Sequence, residues 1–141
     1  MMIKIEVFKF EDSRFLVAQK IRQTVFICEQ GVTAEEEFDE FDATTTHFLL
    51  CQDEVPVGAG RVFKDGHLGR IAVLKSARGL GYGRLIVEAM VEFLTKSGVS
   101  TAILGSQDQA VGFYEKLGFI SFGDPFVEAG ILHRNMKKEL L

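Results

Sequence analysis

Ile3-Lys4-Ile5-Glu6-Val7-Phe8 alternates apolar and polar side chains at period two, the pattern of a strand with one buried face. Asp12 or Ser13 stands where it can cap a helix running to about Cys28. Val17, Ile21, Val25 and Cys28 recur along that stretch at helical spacing. A polar loop follows from Gly31 to Thr46, carrying Glu35, Glu36, Glu37, Asp39, Glu40 and Asp42. His47 to Gln52 and Pro56 to Phe63 read as paired strands with Asp53-Glu54 in the turn. Lys64-Asp65-Gly66 is a hairpin signal leading into a strand from His67 to Leu74.

Further along, Leu85, Ile86, Ala89, Met90, Phe93 and Leu94 form one face of a helix from Arg84 to Thr95, terminated by Gly98. Thr101 to Leu104 predicts a short strand, and Gln107 to Leu117 a second helix stopped by Gly118. Phe119 to Phe122 and Ile131 to Met136 supply the last strands. At 141 residues, with 47% apolar side chains and thirteen Phe, the chain can bury a substantial core. No repeat, linker or low-complexity tract divides it. The order predicts one α+β domain over residues 1–141: a mostly antiparallel meander with a strand-helix-strand crossover at its centre, flanked by helices.

Charge narrows the partners. A net charge of −4 argues against general binding to nucleic acid or anionic membranes, which requires a basic face. No apolar run approaches a membrane span, and Lys4, Glu6, Lys9 and Glu11 are too charged for a secretory leader, so a cytoplasmic protein is expected. Cys28 and Cys51 lack the spacing of a disulfide framework or metal knuckle, and read as core thiols. His47, His67 and His133 are dispersed over strand positions without metal spacing. His47 could act as a base, against the alternative of a strand-end histidine bonded to backbone.

The most specific chemistry lies in Arg78-Gly79-Leu80-Gly81-Tyr82-Gly83, between an apolar strand and the start of a long helix. The first helical turn has free N–H donors, and the helix dipole adds roughly half a positive charge there. Glycines let an anion approach the backbone without Cβ obstruction. A P-loop requires Lys and Ser/Thr after its last glycine, whereas Arg84-Leu85 follows Gly83. A dinucleotide fingerprint requires its third glycine three positions after the second, and Gly79, Gly81 and Gly83 do not comply. A tight turn that binds nothing is the remaining bland reading. Three glycines at a helix start would then cost up to about 1 kcal/mol each without a ligand to offset them.

The Arg-x-x-Gly-x-Gly spacing resembles the pyrophosphate-binding motif of the GCN5-related N-acetyltransferases. Downstream, the run from Gln107 to Phe119 resembles that superfamily's coenzyme A-contacting helix, with its Phe-Tyr-x-x-x-Gly-Phe ending intact at Phe113-Tyr114 and Gly118-Phe119. The family often has Asn where Gln107 stands; Gln offers the same amide with longer reach. The resemblance implies an acyl-CoA N-acyltransferase fold with a mixed sheet and a splayed central parallel pair. It implies that Ile71, Ala72 and Val73 lie along the pantetheine arm of acetyl-CoA. The backbone from Arg78 through Gly79, Leu80, Gly81, Tyr82 and Gly83, with Arg84 at the edge, would take the pyrophosphate. Gln107, Ala110, Phe113 and Tyr114 belong to the cofactor-contacting element, with Tyr114 near the thioester sulfur. On periodicity alone Tyr114 is better explained as a core aromatic beside Phe113; the motif match is what points to the thioester.

An amine of ordinary pKa, near 10.4, must lose a proton before attack, at roughly 4–5 kcal/mol at neutral pH. The oxyanion needs a donor, for which the Val73 N–H or its neighbour is suited, and the leaving thiolate needs a proton, for which Tyr114 is the candidate. In the N-terminal half, Arg22, Phe26 and Glu29 fall on one helical face. The Arg-x-x-Val-Phe-x-x-Glu-Gln run from Arg22 to Gln30 resembles the ElaA-like subgroup, and a related pattern occurs in acyl-homoserine-lactone synthases. Arg22, Phe26 and Glu29 are therefore acceptor-binding candidates, with Glu29 also a candidate base. Equally, Arg22 and Glu29 read as a surface ion pair of little energetic weight. The acidic loop reads either as solvated or as an attractant for a cationic amine, and Phe38 and Phe41 suggest that it folds back on the body. The resulting expectation is direct, acetyl-CoA-dependent acetylation of a primary amine, small-molecule or peptide, with a homodimer as the family-level assembly. A non-catalytic acyl-CoA-binding module and an acyltransferase related to the homoserine-lactone synthases are the alternatives.

Overall fold

Seven strands form one sheet in the computed structural model, which covers residues 1–141. They are β1 (Ile3–Lys9), β2 (Thr46–Gln52), β3 (Val55–Val62), β4 (His67–Val73), β5 (Thr101–Gln107), β6 (Ile120–Glu128) and β7 (Ile131–Glu139). Their spatial order is β1-β2-β3-β4-β5-β7-β6, antiparallel throughout except for β4 and β5. That parallel pair is joined by a crossover through α3 (Tyr82–Lys96). Its register holds for only two residue pairs, His67 with Ile103 and Leu68 with Leu104, before the strands part.

Helices cover both faces. On one, Ile86, Met90 and Leu94 of α3 pack on Phe48, Leu50, Leu104 and Met136, together with Tyr114 of α4 (Val111–Glu115). The fit is close because β3 presents Gly58 and Gly60 to α3. A Cβ at Gly58 would stand 2.7 Å from Ile86 Cδ1, and one at Gly60 2.9 Å from Met90 Sδ. On the other face, Phe15, Ala18 and Ile21 of α1 (Arg14–Arg22) and Val25 beyond it pack on Phe8, Leu49, Ala59 and Ala72.

Three predicted elements change. The first helix stops being α-helical at Arg22 and continues as a wider π-helical segment, Gln23–Glu29. Of the predicted stripe Ile21 and Val25 are buried, and past Arg22 the extra residue per turn shifts the side-chain phase. Val17 is 38% exposed and Cys28 is on the surface, while Phe15, Ala18, Arg22 and Val25 line the buried row. The predicted Gln107–Leu117 helix is instead the end of β5, a 3₁₀ turn (Asp108–Ala110) and the five residues of α4. Strand pairing with Asn135, Arg134 and His133 of β7 holds Gly105, Ser106 and Gln107 extended. The predicted acidic loop contains α2 (Ala34–Glu37), capped by the Thr33 side chain, and a 3₁₀ turn, Glu40–Thr44.

That segment is not merely solvated. Glu37 and Asp42 are buried and bind Arg22, itself 1% exposed, at 2.7 and 2.8 Å. Arg61 holds Asp39 at 2.7 Å and Asp42 at 2.8 Å, while Arg70 holds Glu37 at 3.0 Å and Asp39 at 3.2 Å. Burial pushes Glu37 upward against the pull of Arg22 and Arg70. For Asp39, burial works in the same direction, but the Arg61 hydrogen bonds and charge outweigh it and keep the carboxyl below its ordinary range. Phe38 lies under the Arg22 guanidinium, and Phe41 packs edge-on against Phe63, so the segment does fold back on the body.

Removing one member of a buried ionic cluster strands its partners in low dielectric. Arg22→Met is expected to destabilise the fold by about 3–5 kcal/mol. Urea unfolding of the variant and parent measures it; a loss below about 1 kcal/mol would show the cluster to be dispensable.

Candidate functional site

The parting of β4 and β5 opens a cavity of about 590 Å³. Its walls are Leu68 to Ile71 of β4 and Leu104 to Gln107 of β5, closed by Ala110 and Tyr114 at one side and Phe26, Gln30 and Phe41 at another. The divergence coincides with a bulge. Ala59 faces Ala72 and Arg61 faces Gly69, so β4 carries an extra residue between those pairs. Within it Arg70 adopts φ +51°, a left-handed conformation that costs a non-glycine residue about 1–2 kcal/mol. The Arg70 side chain offsets this by donating to the carbonyls of Glu36 and Glu37 as well as to its two carboxylates.

Past the bulge β4 turns its backbone to the cleft. The Leu74 N–H donates to the Val57 carbonyl of β3. Strand alternation therefore aims the Val73 N–H and C=O at the opposite edge, where β5 has moved away. The Val73 carbonyl accepts from Arg78 Nε at 2.9 Å, which agrees with that direction.

Beyond β4 and a 3₁₀ turn (Lys75–Ala77), the glycine segment reaches the N-terminus of α3. From Gly79 to Arg84 none of six successive N–H groups donates to a backbone or side-chain acceptor in the chain. Gly79 and Gly81 have φ +80° and +84°, and a Cβ at either would enter open space. Phe113 lies at 3.4 Å from the position of a Gly83 Cβ and contacts Tyr114 edge-on, so the two sequence motifs meet in space.

Tyr114 is 9% exposed; its hydroxyl makes no hydrogen bond in the chain, yet is not sealed from the cleft it lines. Burial pushes its pKa up to about 12, so the phenol keeps its proton at neutral pH. Of the other predicted residues, Phe26, Ile71, Gln107 and Ala110 line the cavity. The Gln107 amide donates to Gln30 at 2.8 Å and its carbonyl accepts from Gln109. Ala72 packs its side chain on α1, Tyr82 is in the core, and Leu80 is exposed.

Two expectations need correction. Arg22 and Glu29 form no pair. Arg22 is buried in its cluster with Glu37 and Asp42 and reaches no cavity, because the acidic segment closes over it. Glu29 instead binds Arg78 at 2.7 Å, outside the cavity lining, so its carboxylate is engaged at the glycine segment. His47 is buried between Phe8 and Phe15 with Nε2 on the Asp42 carbonyl at 2.9 Å; burial lowers its pKa, and it serves the fold. Sequence reasoning missed Arg61 and Arg70, whose acidic partners lie far off in the chain, and His133, which lines the cavity from β7. The signal for Arg22 was present: with Phe15, Ala18 and Val25 it occupies an apolar row at helical spacing.

Comparison with known proteins agrees with this geometry. The family model for the acetyltransferase (GNAT) domain matches residues 16–140. The chain is 44% identical over 123 residues to a Bacillus subtilis protein named uncharacterized N-acetyltransferase YjcF, covering 84% of this chain and 88% of that one. The Escherichia coli ElaA crystal structure superposes with a TM-score of 0.85 at 25% identity, over 98% of this chain and all of the other. An acyl-CoA N-acyltransferase from Pseudomonas aeruginosa shares the fold, with a TM-score of 0.86 at 22% identity over 97% and 99% of the two chains. The chain belongs to the GNAT acetyltransferase family, has its acyl-CoA N-acyltransferase fold, and counts ElaA among its structural relatives.

The glycine segment makes a local prediction. Gly81→Ala places a Cβ on a left-handed residue and is expected to destabilise by about 1–2 kcal/mol. Gly112→Ala, in α4 with an ordinary φ and open space around it, is expected to be neutral or stabilising by up to about 1 kcal/mol. Thermal unfolding of the two variants compares them directly; equal Tm values would contradict the conformational argument.

Proposed function

We propose that this acetyltransferase uses acetyl-CoA as donor and a primary amine as acceptor, with direct transfer and no covalent enzyme intermediate. One observation carries the reading: Tyr114, whose hydroxyl has no partner in the cleft between β4 and β5, packs on Phe113, and Phe113 stands beside a helix start with six free N–H donors. Such donors suit a pyrophosphate, since anions are favoured at a helix N-terminus. Gly79 and Gly81 leave the approach open, and Val73 presents its N–H where a thioester carbonyl would lie between the strands. The fit of these residues to coenzyme A supports the donor assignment.

Each group then has one task. The Gly79–Arg84 backbone, with Phe113 beside it, holds the donor's phosphates. The Val73 N–H stabilises negative charge on the carbonyl oxygen as the amine adds. Tyr114, with its proton in place, is the group that would meet the donor's sulfur. Full transfer from a phenol near 12 to a thiolate near 8.5 runs uphill by roughly 3–4 units. Tyr114 therefore acts by hydrogen bonding to sulfur as charge develops, with the proton passing only as the C–S bond breaks. No cysteine fits a nucleophile's role, because Cys28 is on the surface and Cys51 is buried, and neither lines the cleft.

The test is thiol release from acetyl-CoA with polyamines, amino sugars, aminoglycosides and peptide N-termini as acceptors. Turnover with at least one amine is expected, and Tyr114→Phe should lower kcat by about 10²–10³-fold while leaving coenzyme A affinity unchanged. Coenzyme A binding without turnover on any amine would favour a binding module, and an unchanged kcat in Tyr114→Phe would remove the proton donor.

A further inference from the structure

We propose that His133 is the general base that takes the proton from the acceptor amine, an inference that rests on the amine-transfer reading above. His133 belongs to β7 and lines the same cavity as Tyr114. Its Nδ1 lies 2.7 Å from the Ile131 carbonyl oxygen. A carbonyl can only accept, so Nδ1 carries the hydrogen and Nε2 carries the lone pair. Nε2 bonds to nothing in the chain and is not sealed from solvent. The ring stacks on Phe126 at a centroid distance of 5.5 Å, which fixes its plane. An oriented imidazole with an unpaired lone pair, opening on a cleft, is the arrangement that a base requires.

Its position along the sheet distinguishes it from the other candidate. His67 also lines the cavity, with Nδ1 at 3.0 Å from Asp65. But His67 pairs with Ile103, where β4 and β5 are still joined. His133 pairs with Gln107, four residues further along β5, or roughly 13 Å at about 3.3 Å per residue. That is the open end of the cleft, the end from which Tyr114 and Ala110 project. His67 lies at the closed end, suited to touching the far part of an acceptor. Glu29, the carboxylate suggested by sequence, is held outside by Arg78.

The proton balance closes. An ammonium acceptor gives one proton to Nε2, and its freed lone pair forms the C–N bond at the thioester carbon. The C–S bond breaks with its electrons going to sulfur, which receives a proton through Tyr114. The adduct nitrogen loses its second N–H proton, so that one proton ends on sulfur and one leaves to water. The charged and titratable groups facing His133 across the two adjoining cavities are Glu128 of β6, Arg61 of β3, Asp65 and His67 at the start of β4, Arg70 of β4, Glu36 and Glu37 of α2, and Tyr114 of α4. Arg70 and Glu37 are paired with each other, and Glu36 accepts from the Thr33 hydroxyl; Glu128 makes neither an ion pair nor a side-chain hydrogen bond and is the acid best placed to accompany the imidazolium.

The test uses the whole chain and the acetyl-CoA thiol-release assay, with the amine that gives most turnover, from pH 5.5 to 9.5. His133→Asn is expected to lower kcat/KM by about 10²–10³-fold near neutrality, with the KM for acetyl-CoA within about twofold, and to lose the acidic limb of the pH profile. His133→Ala should regain part of its rate with added imidazole, which a merely structural role would not allow. Wild-type kcat/KM and an unchanged pH profile in His133→Asn would overturn the assignment. So would an Nε2–H tautomer for His133 in ¹⁵N NMR of the unaltered protein, a readout that survives a variant that fails to fold. Absence of thiol release by the wild-type chain with every amine would overturn the transfer reading and this base with it. Turnover that is intact in the histidine variants would overturn the base alone.

Discussion

The left-handed backbone of Arg70 is the constraint on which the cleft depends. A sheet with α3 crossing from β4 to β5 has no intrinsic reason to separate those strands after two residue pairs. The extra residue in β4 supplies one, by turning the strand and increasing its twist at the point where pairing with β5 ends. A non-glycine residue in that conformation persists only where its surroundings over-determine it. Here the surroundings are Glu37 and Asp39 with the carbonyls of Glu36 and Glu37, all from the acidic segment. Three arginines face three acids, so the cluster is close to neutral and leaves no large field in the cavity beside it. Its function is mechanical, holding the wall and the bulge together.

The π-helical stretch that precedes the acidic segment links the two ends of the site. The π-helical stretch directs Phe26 into the cavity and ends at Glu29, which grips Arg78 beside the glycine segment. Arg78 in turn ties back to the Val73 carbonyl. One residue on, Gln30 accepts from Gln107 at the end of β5. A single helical ending therefore reaches the glycine segment and, through Arg78, the central strand, and touches the far wall of the cleft at Gln107. Widening of the helix places Phe26 and Gln30 inward and Glu29 outward, a division that ordinary α-helical spacing would not give.

What was legible in the sequence was local. The glycine segment and the Phe113-Tyr114 pair each carry their meaning within a few residues, because a helix start and its flanking turn are built from neighbours. Strand boundaries around Asp53-Glu54 and Lys64-Asp65-Gly66 were legible for the same reason. The ionic cluster was not, since its bonds join residues 15 to 33 positions apart and acidic loops ordinarily face water. The Gln107 helix was misread because Gly105-Ser106-Gln107 has little strand propensity of its own. Pairing with β7 overrides it. His133 carried no motif at all; only the Ile131 carbonyl and the shape of the cleft give its ring a direction.

Proton traffic supplies the last step of the argument. A transfer between an ammonium and a thioester must remove protons from nitrogen and deliver one to sulfur, so its two titratable partners must differ in what they hold. Tyr114 is kept protonated by burial, with its pKa near 12. His133 is kept with an open lone pair at Nε2 by the backbone bond at Nδ1. The first is set by desolvation, which disfavours the phenolate, and the second by geometry, which selects a tautomer. Exchanging the roles fails on both counts. A buried phenol is a poor acceptor from an ammonium near 10.4 without a cation to stabilise its anion, and an imidazole whose only hydrogen is bound to a carbonyl has none to offer sulfur. On the proposed reading, the direction of proton flow through this cleft is thus set by two unlike constraints, desolvation at Tyr114 and a backbone bond at His133.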